Sequence, residues 1–175
     1  AESLDQGSSG SRDMQIDRLD AALIRLLTEE PQLPILECAR RLGIARGTAT
    51  SRLARLHEGG VIDAIVPRIE PAGFGYGLVA FCLVEIDQKV GHDEVAAALA
   101  DAVPEIVDMH TVTGASDMQL RLVARDAVQL QEVLDRVAVV PGVARTASSI
   151  AMRTHLSGRV LPLVAHVAEN GNGNG

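Results

Sequence analysis

The feature that most constrains this 175-residue chain is an internal repeat in its second half. Val103-Pro104-Glu105-Ile106 and Val140-Pro141-Gly142-Val143 sit at equivalent points, each closing a helical stripe and opening a strand. Ahead of the first lie an apolar strand, Leu78 to Asp87, and a helix from about His92 to Val103 with Val95, Ala98, Leu99 and Ala102 on one side. Its closing strand runs from about Ile106 to Thr113. The second unit repeats the order with a strand from Met118 to Ala124, a helix from Asp126 to Val139 and a strand from Val143 to about Arg153. Leu130, Leu134 and Val137 form the buried stripe of that helix. The order β-α-β-β-α-β is the ferredoxin-like arrangement, an α+β fold with two helices on one face of a four-stranded sheet.

The first strand carries apolar residues on both faces: Val79, Phe81 and Leu83 on one, Ala80, Cys82, Val84 and Ile86 on the other. Two helices cover a single face, so the other needs a cover. The same sheet of a second chain is the simplest one, which predicts a two-fold homodimer.

The first half reads as a compact helical head. Ile16 to Glu30 has Ile16, Leu19, Leu23, Leu26 and Leu27 at helical spacing, with Asp17 as N-cap and Pro31 as stop. A second helix runs from Pro34 to Leu42 on the stripe Ile35, Cys38, Ala39 and Leu42, and Gly43 ends it. A third runs from about Ala45 to Glu58 with Ala49, Leu53 and Leu56 inward and Arg46, Thr48, Thr50, Ser51, Arg52 and Arg55 outward. Gly59-Gly60 close it, and Val61-Ile62 open an extended segment to about Ile69. The small Ala39, the turn at Gly43 and Ile44 in the corner have the spacing of a helix-turn-helix. Such a third helix fits the major groove of duplex DNA. A plain three-helix bundle with a solvated polar face would show the same pattern.

Charge and composition narrow the function. The net charge of −7 argues against non-specific nucleic-acid binding by the whole molecule. Between residues 33 and 57, however, Arg40, Arg41, Arg46, Arg52 and Arg55 face Glu37 alone. Every basic residue but Lys89 is an arginine, which suits bidentate recognition of phosphate or guanine edges and is equally what a GC-rich genome would encode. The three aromatics, Phe74, Tyr76 and Phe81, cannot build a stacking platform for single-stranded nucleic acid. Gly73-Phe74-Gly75-Tyr76-Gly77 is not followed by a helix, as a phosphate-binding glycine loop would be, and reads as a flexible hinge. The expected organisation is a tail at 1–13, a helix-turn-helix head at 14–70, a hinge at 71–77, a βαββαβ dimerisation domain at 78–154, and an extension with a second tail at 155–175.

Cys38 and Cys82 lie far apart without metal-type spacing, as suits a reducing cytoplasm. No apolar run is long enough to span a bilayer, and residues 1–13 lack the apolar region of a signal peptide. Asp108 and His110 share one strand face but have no third partner at metal-ligand spacing. No nucleophile elbow, P-loop or Cys-x-x-Cys occurs. The expectation is a protein without enzymatic activity, cofactor or metal, and without a membrane partner.

The chain resembles the Lrp/AsnC (feast/famine) family of transcriptional regulators over about Ile16 to Thr154. The resemblance rests on Leu19-Asp20, Ala39-Arg40-Arg41-Leu42-Gly43-Ile44, Arg52-Leu53-Ala54-Arg55-Leu56 and Gly60-Val61-Ile62 in the head. In the second half it rests on Val112-Thr113-Gly114, Asp117 and Pro141-Gly142-Val143. It implies a winged helix-turn-helix domain binding double-stranded DNA through Arg46, Thr48, Thr50, Ser51, Arg52 and Arg55, joined to an ACT-like effector domain. It also implies dimers that assemble into tetramers or octamers and hold a small effector, usually an amino acid, between subunits. The family's ligand loop falls on Gly114, Ala115, Ser116 and Asp117, followed by Met118, with Thr146, Ser148 and Ser149 as neighbours on the last strand. Loop amides would hold a carboxylate and Asp117 an ammonium group. A rival reading is a small-molecule-binding interaction module whose head no longer binds DNA. Two departures stand out. Met118 replaces the family's usual aromatic and is adaptable enough for broad ligand choice. Pro34 and Ala45 stand where Ser or Thr caps are usual, a loss of about 1 kcal/mol each that predicts a loosened start of the third helix.

Overall fold

The computed structural model describes residues 14–87 and 89–170. The tails expected at 1–13 and at the chain's end beyond Asn170 lie outside the described residues. Two compact units emerge: one contains the chain up to Arg68 together with residues from Leu156 onward, the other is Ile69–His155.

In the first unit, α1 (Arg18–Glu29) begins at a capping box in which Asp17 accepts from the Asp20 amide at 2.8 Å and Asp20 accepts from the Asp17 amide at 3.1 Å. Leu23, Ile24 and Leu27 are its buried stripe. They pack with Cys38 of α2 (Ile35–Leu42) and Leu56 of α3 (Arg46–Glu58). After α3, His57 Nδ1 lies 2.8 Å from the Ile62 carbonyl oxygen, and the chain to Ile69 makes no sheet ladder. A further helix near the C-terminus, α6 (Leu161–Asn170), belongs to this unit. Leu161 and Val164 join the head core, and Ala168 is buried beside α1. The sequence reading assigns no element there, although Leu161, Val164, Ala165 and Ala168 keep helical spacing.

The second unit contains β1 (Leu78–Ile86), α4 (His92–Ala102), β2 (Ile106–Thr111), β3 (Met118–Ala124), α5 (Ala127–Ala138) and β4 (Val143–Ile150). The sheet is antiparallel with order β2-β3-β1-β4, as the ferredoxin-like reading expects. Ala80, Cys82 and Val84 of β1 pack with Leu120 and Leu122 of β3 under Val95 and Leu99 of α4 and Leu130, Val133 and Val137 of α5. Phe81 and Leu83 point to the other face and are 37% and 39% exposed. The bend into β4 depends on Gly142, whose φ is +89°. A Cβ there would lie 2.7 Å from Val95 Cγ2, so only glycine fits.

Segment 71–77, expected as a hinge, folds into a turn and falls within this unit. Pro71–Phe74 form a 3-10 turn, the Tyr76 amide donates to the Pro71 carbonyl at 3.0 Å, and the Arg125 guanidinium lies 5.0 Å from the Tyr76 ring centre. The glycines supply the turn's geometry, and the aromatics between them hold it down.

Candidate nucleic-acid interface and ligand loop

Gly43, in the left-handed region at φ +66°, ends α2 and begins the turn into α3. The Ile44 amide donates back to the Ala39 carbonyl at 3.0 Å. Ala49 and Leu56 are fully buried, which turns Arg46, Thr48, Thr50 and Ser51 outward. Ala45 provides no side-chain cap, yet α3 starts at Arg46, with the Ala49 amide donating to the Ala45 carbonyl at 3.1 Å. The backbone bond and the packing of Ala49 hold the first turn where no side-chain cap does.

The arginines are placed differently from the linear reading. Arg52 Nη1 donates to Asp17 Oδ2 at 2.7 Å and to Asp20 Oδ1 at 2.8 Å, and Arg55 Nη2 donates to Asp20 Oδ2 at 2.5 Å. Asp20 is fully buried. Burial pushes the Asp17 carboxyl up, but the Asp20 amide and the Arg52 guanidinium together outweigh this and hold it below the ordinary aspartate value. The two carboxylates in turn raise Arg52. Arg40 and Arg41 both bind Glu37, and Arg41 also binds Glu30. These contacts draw the Glu37 carboxyl down to about 2. Of the five arginines on α2 and α3, Arg46 alone makes no ion pair among the described residues. The apparent basic patch arises because a window from 33 to 57 omits Asp17, Asp20 and Glu30, which the fold brings to it.

In the second unit, the loop between β2 and β3 is closed by the Val112 amide donating to the Asp117 carbonyl at 2.9 Å. Gly114 takes φ +126° at its exposed tip, next to the exposed Ala115. Ser116 and Asp117 are half-buried. Asp117 is fastened to β1: its amide donates to the Val84 carbonyl at 2.9 Å, and its Oδ2 accepts from the Ile86 amide at 2.7 Å. Its Oδ1 lies 3.8 Å from Nε2 of His92, the first residue of α4. His92 is a neighbour that sequence spacing gives no means of finding.

Met118 is 2% exposed and belongs to the core, not to the loop surface. Alternation along β3 puts it in the helix-facing row with Leu120 and Leu122. Thr146 pairs with Val84 and Ser148 with Cys82, so β1 separates both from the loop within one chain, whereas Ser149 pairs with Phe81. The structure therefore brings Asp117, His92 and the end of β1 together and leaves Thr146 and Ser148 on the edge strand. Asp108, on the same strand face as His110, binds Arg121. Among the described residues no cluster of three or more metal-ligating side chains occurs, and no helix is long and apolar enough to cross a membrane.

A helix-turn-helix head and a βαββαβ domain on one chain are the two parts of a DNA-binding transcriptional regulator with a ligand-binding domain. A winged helix-turn-helix DNA-binding model matches residues 16–63, and an Lrp/AsnC ligand binding domain model matches residues 79–161. The HTH-type transcriptional regulator FL11 of Pyrococcus horikoshii is 34% identical over 149 residues, covering 85% of this chain and 97% of the relative. The chain belongs to the Lrp/AsnC family of transcriptional regulators. Among solved structures, a Neisseria meningitidis transcriptional regulator in complex with L-methionine aligns with a TM-score of 0.74 at 26% identity, over 85% of this chain and 97% of that one. A feast or famine regulatory protein of Mycobacterium tuberculosis, complexed with L-methionine, aligns at 0.71 and 29% identity, over 82% and 96%.

Proposed function

We propose that this regulator binds operator DNA as a homo-oligomer and changes its DNA affinity when an amino acid occupies the effector domain. The single observation that carries the effector reading is the Gly114–Asp117 loop on an Lrp/AsnC domain whose solved relatives hold L-methionine. Exposed amides around Gly114 suit an α-carboxylate. Asp117 Oδ1, the oxygen left over from the bond to Ile86, suits an α-ammonium group. The Phe81 and Leu83 face of the sheet pairs with its counterpart on a second chain, and dimers assemble further into tetramers or octamers. Thr146 and Ser148 reach a ligand from the edge strand of such an assembly, and Met118 supports the loop from behind. The protein works in the cytoplasm, where its buried Cys38 and Cys82 stay reduced. The effector acts by favouring one arrangement of subunits, which resets the spacing of paired recognition helices.

A thermal-shift screen of the standard amino acids tests the effector reading, because a ligand that binds only the folded state raises the melting temperature. The proposal expects a subset, with L-methionine the first to try, to give a concentration-dependent rise. No shift with any of them would refute it.

A further inference from the structure

We infer that Asp20, through Arg52 and Arg55, is the positioning residue of the recognition helix, and that those two arginines serve the head rather than the DNA. The inference rests on α3 being the DNA-reading helix. Asp20 is fully buried, and its oxygens accept from Arg52, from Arg55 and from the Asp17 amide. A buried carboxylate that loses its cation is left uncompensated, which costs more than an exposed ion pair returns. Swinging either guanidinium onto a phosphate would trade one anion for another and take from the buried Asp20 one of its two cations. The arrangement also has a geometric use. Arg52 and Arg55 are one turn apart on α3, while Asp17 and Asp20 are the N-cap and third residue of α1. Two points on each helix are therefore tied together, which fixes both the rotation and the tilt of α3 on α1. Arg52, at 25% side-chain exposure, is the more enclosed of the two clamps. The outward Arg46, Thr48, Thr50 and Ser51 are then held at a set angle for reading bases, and Arg46 supplies the cation for phosphate.

The experiment compares the full chain and its variants on two duplexes of equal length, one from the promoter of its own gene and one of random sequence, across a salt series. A phosphate contact contributes about 0.9 to the slope of log K against log salt. Arg46→Gln should weaken binding to both duplexes and make the slope shallower. Arg52→Gln, Arg55→Gln and Asp20→Asn should lower promoter affinity severalfold with unchanged slope, while the random duplex is bound as before, so the ratio of specific to non-specific binding collapses. A simple loss of folded protein would lower both affinities equally and leave that ratio alone. Shallower slopes for Arg52→Gln and Arg55→Gln would overturn the inference, as would equal losses on both duplexes or no change on either. If Asp20→Asn fails to fold, Arg52→Gln and Arg55→Gln decide. Failure of the unmodified chain to prefer its promoter would instead strike at the operator reading itself.

Discussion

Asp117 and Ile86 are joined across 31 residues of sequence by a single bond, from the Ile86 amide to Asp117 Oδ2 at 2.7 Å. The β2–β3 loop is thereby bolted to the end of β1, and Asp117 has two duties. One oxygen satisfies a nearly buried backbone amide, and the other faces the loop and His92. Asp117→Ala should strand the Ile86 amide, a loss of about 1–3 kcal/mol in urea unfolding. Asp117→Asn keeps an acceptor for Ile86, so it should retain most of the stability while losing the amino-acid-induced thermal shift.

Gly142→Ala should destabilise the effector domain by about 1–3 kcal/mol. The substitution meets both a φ of +89° and a Cβ position 2.7 Å from Val95 Cγ2. A circular-dichroism melt checks this. A variant as stable as the parent would contradict the packing of the β4 bend on α4.

Removing α6 should weaken the head. Leu161 and Val164 contribute to its core, so truncation before Leu161 should cost about 2 kcal/mol of head stability. The match to the family model ends at residue 161, where α6 begins. Limited proteolysis of the truncated chain should show earlier cleavage within residues 14–68. Unchanged protection would argue that α6 only rests on α1.

The head should lose stability in acid. Asp17 and Glu37 titrate below their ordinary values of 3.8 and 4.5, Glu37 at about 2. The unfolded chain therefore takes up these protons first, and the stabilisation is complete above about pH 4.5 and disappears as pH falls toward 2. Melting temperatures over that range should fall for the parent and fall less for Arg52→Gln, which has already lost the Asp17 partner. At the other extreme, burial pushes the Cys82 thiol up from 9.0 to about 11. Below pH 9 it adds no pH dependence. Between 9 and 11 the unfolded thiol ionises while the folded one does not, so stability declines there.

Local pattern made much of this protein legible. The stripes of α1, α2 and α5, the two Val-Pro-x-[Ile/Val] junctions and the alternation in β1 gave the element order and the ferredoxin-like fold, because periodicity reports which face is buried. The same alternation, applied to β3, would have sent Met118 into the core; the nearby loop pattern drew it to the site instead. What sequence could not supply was distance in space. Arg52 and Asp20 are 32 residues apart, and His92 and Asp117 likewise stand on different elements with no shared motif. A charge count over a window finds basic residues and misses the acids that fold onto them. Beyond Ile62, which packs on the head core, the segment after α3 keeps its apolar residues exposed, with Val66 at 67% and Ile69 at 72%, and its lack of a ladder was not visible in its β-branched composition.

The most direct test of the central claim is fluorescence anisotropy on a promoter duplex, with and without the amino acid that gives the largest thermal shift, for the parent chain and Asp117→Asn. The account predicts that the ligand changes the parent's DNA affinity, and that Asp117→Asn binds the duplex with the parent's unliganded affinity but does not respond. A parent indifferent to every amino acid, or an Asp117→Asn variant that responds as the parent does, would contradict it.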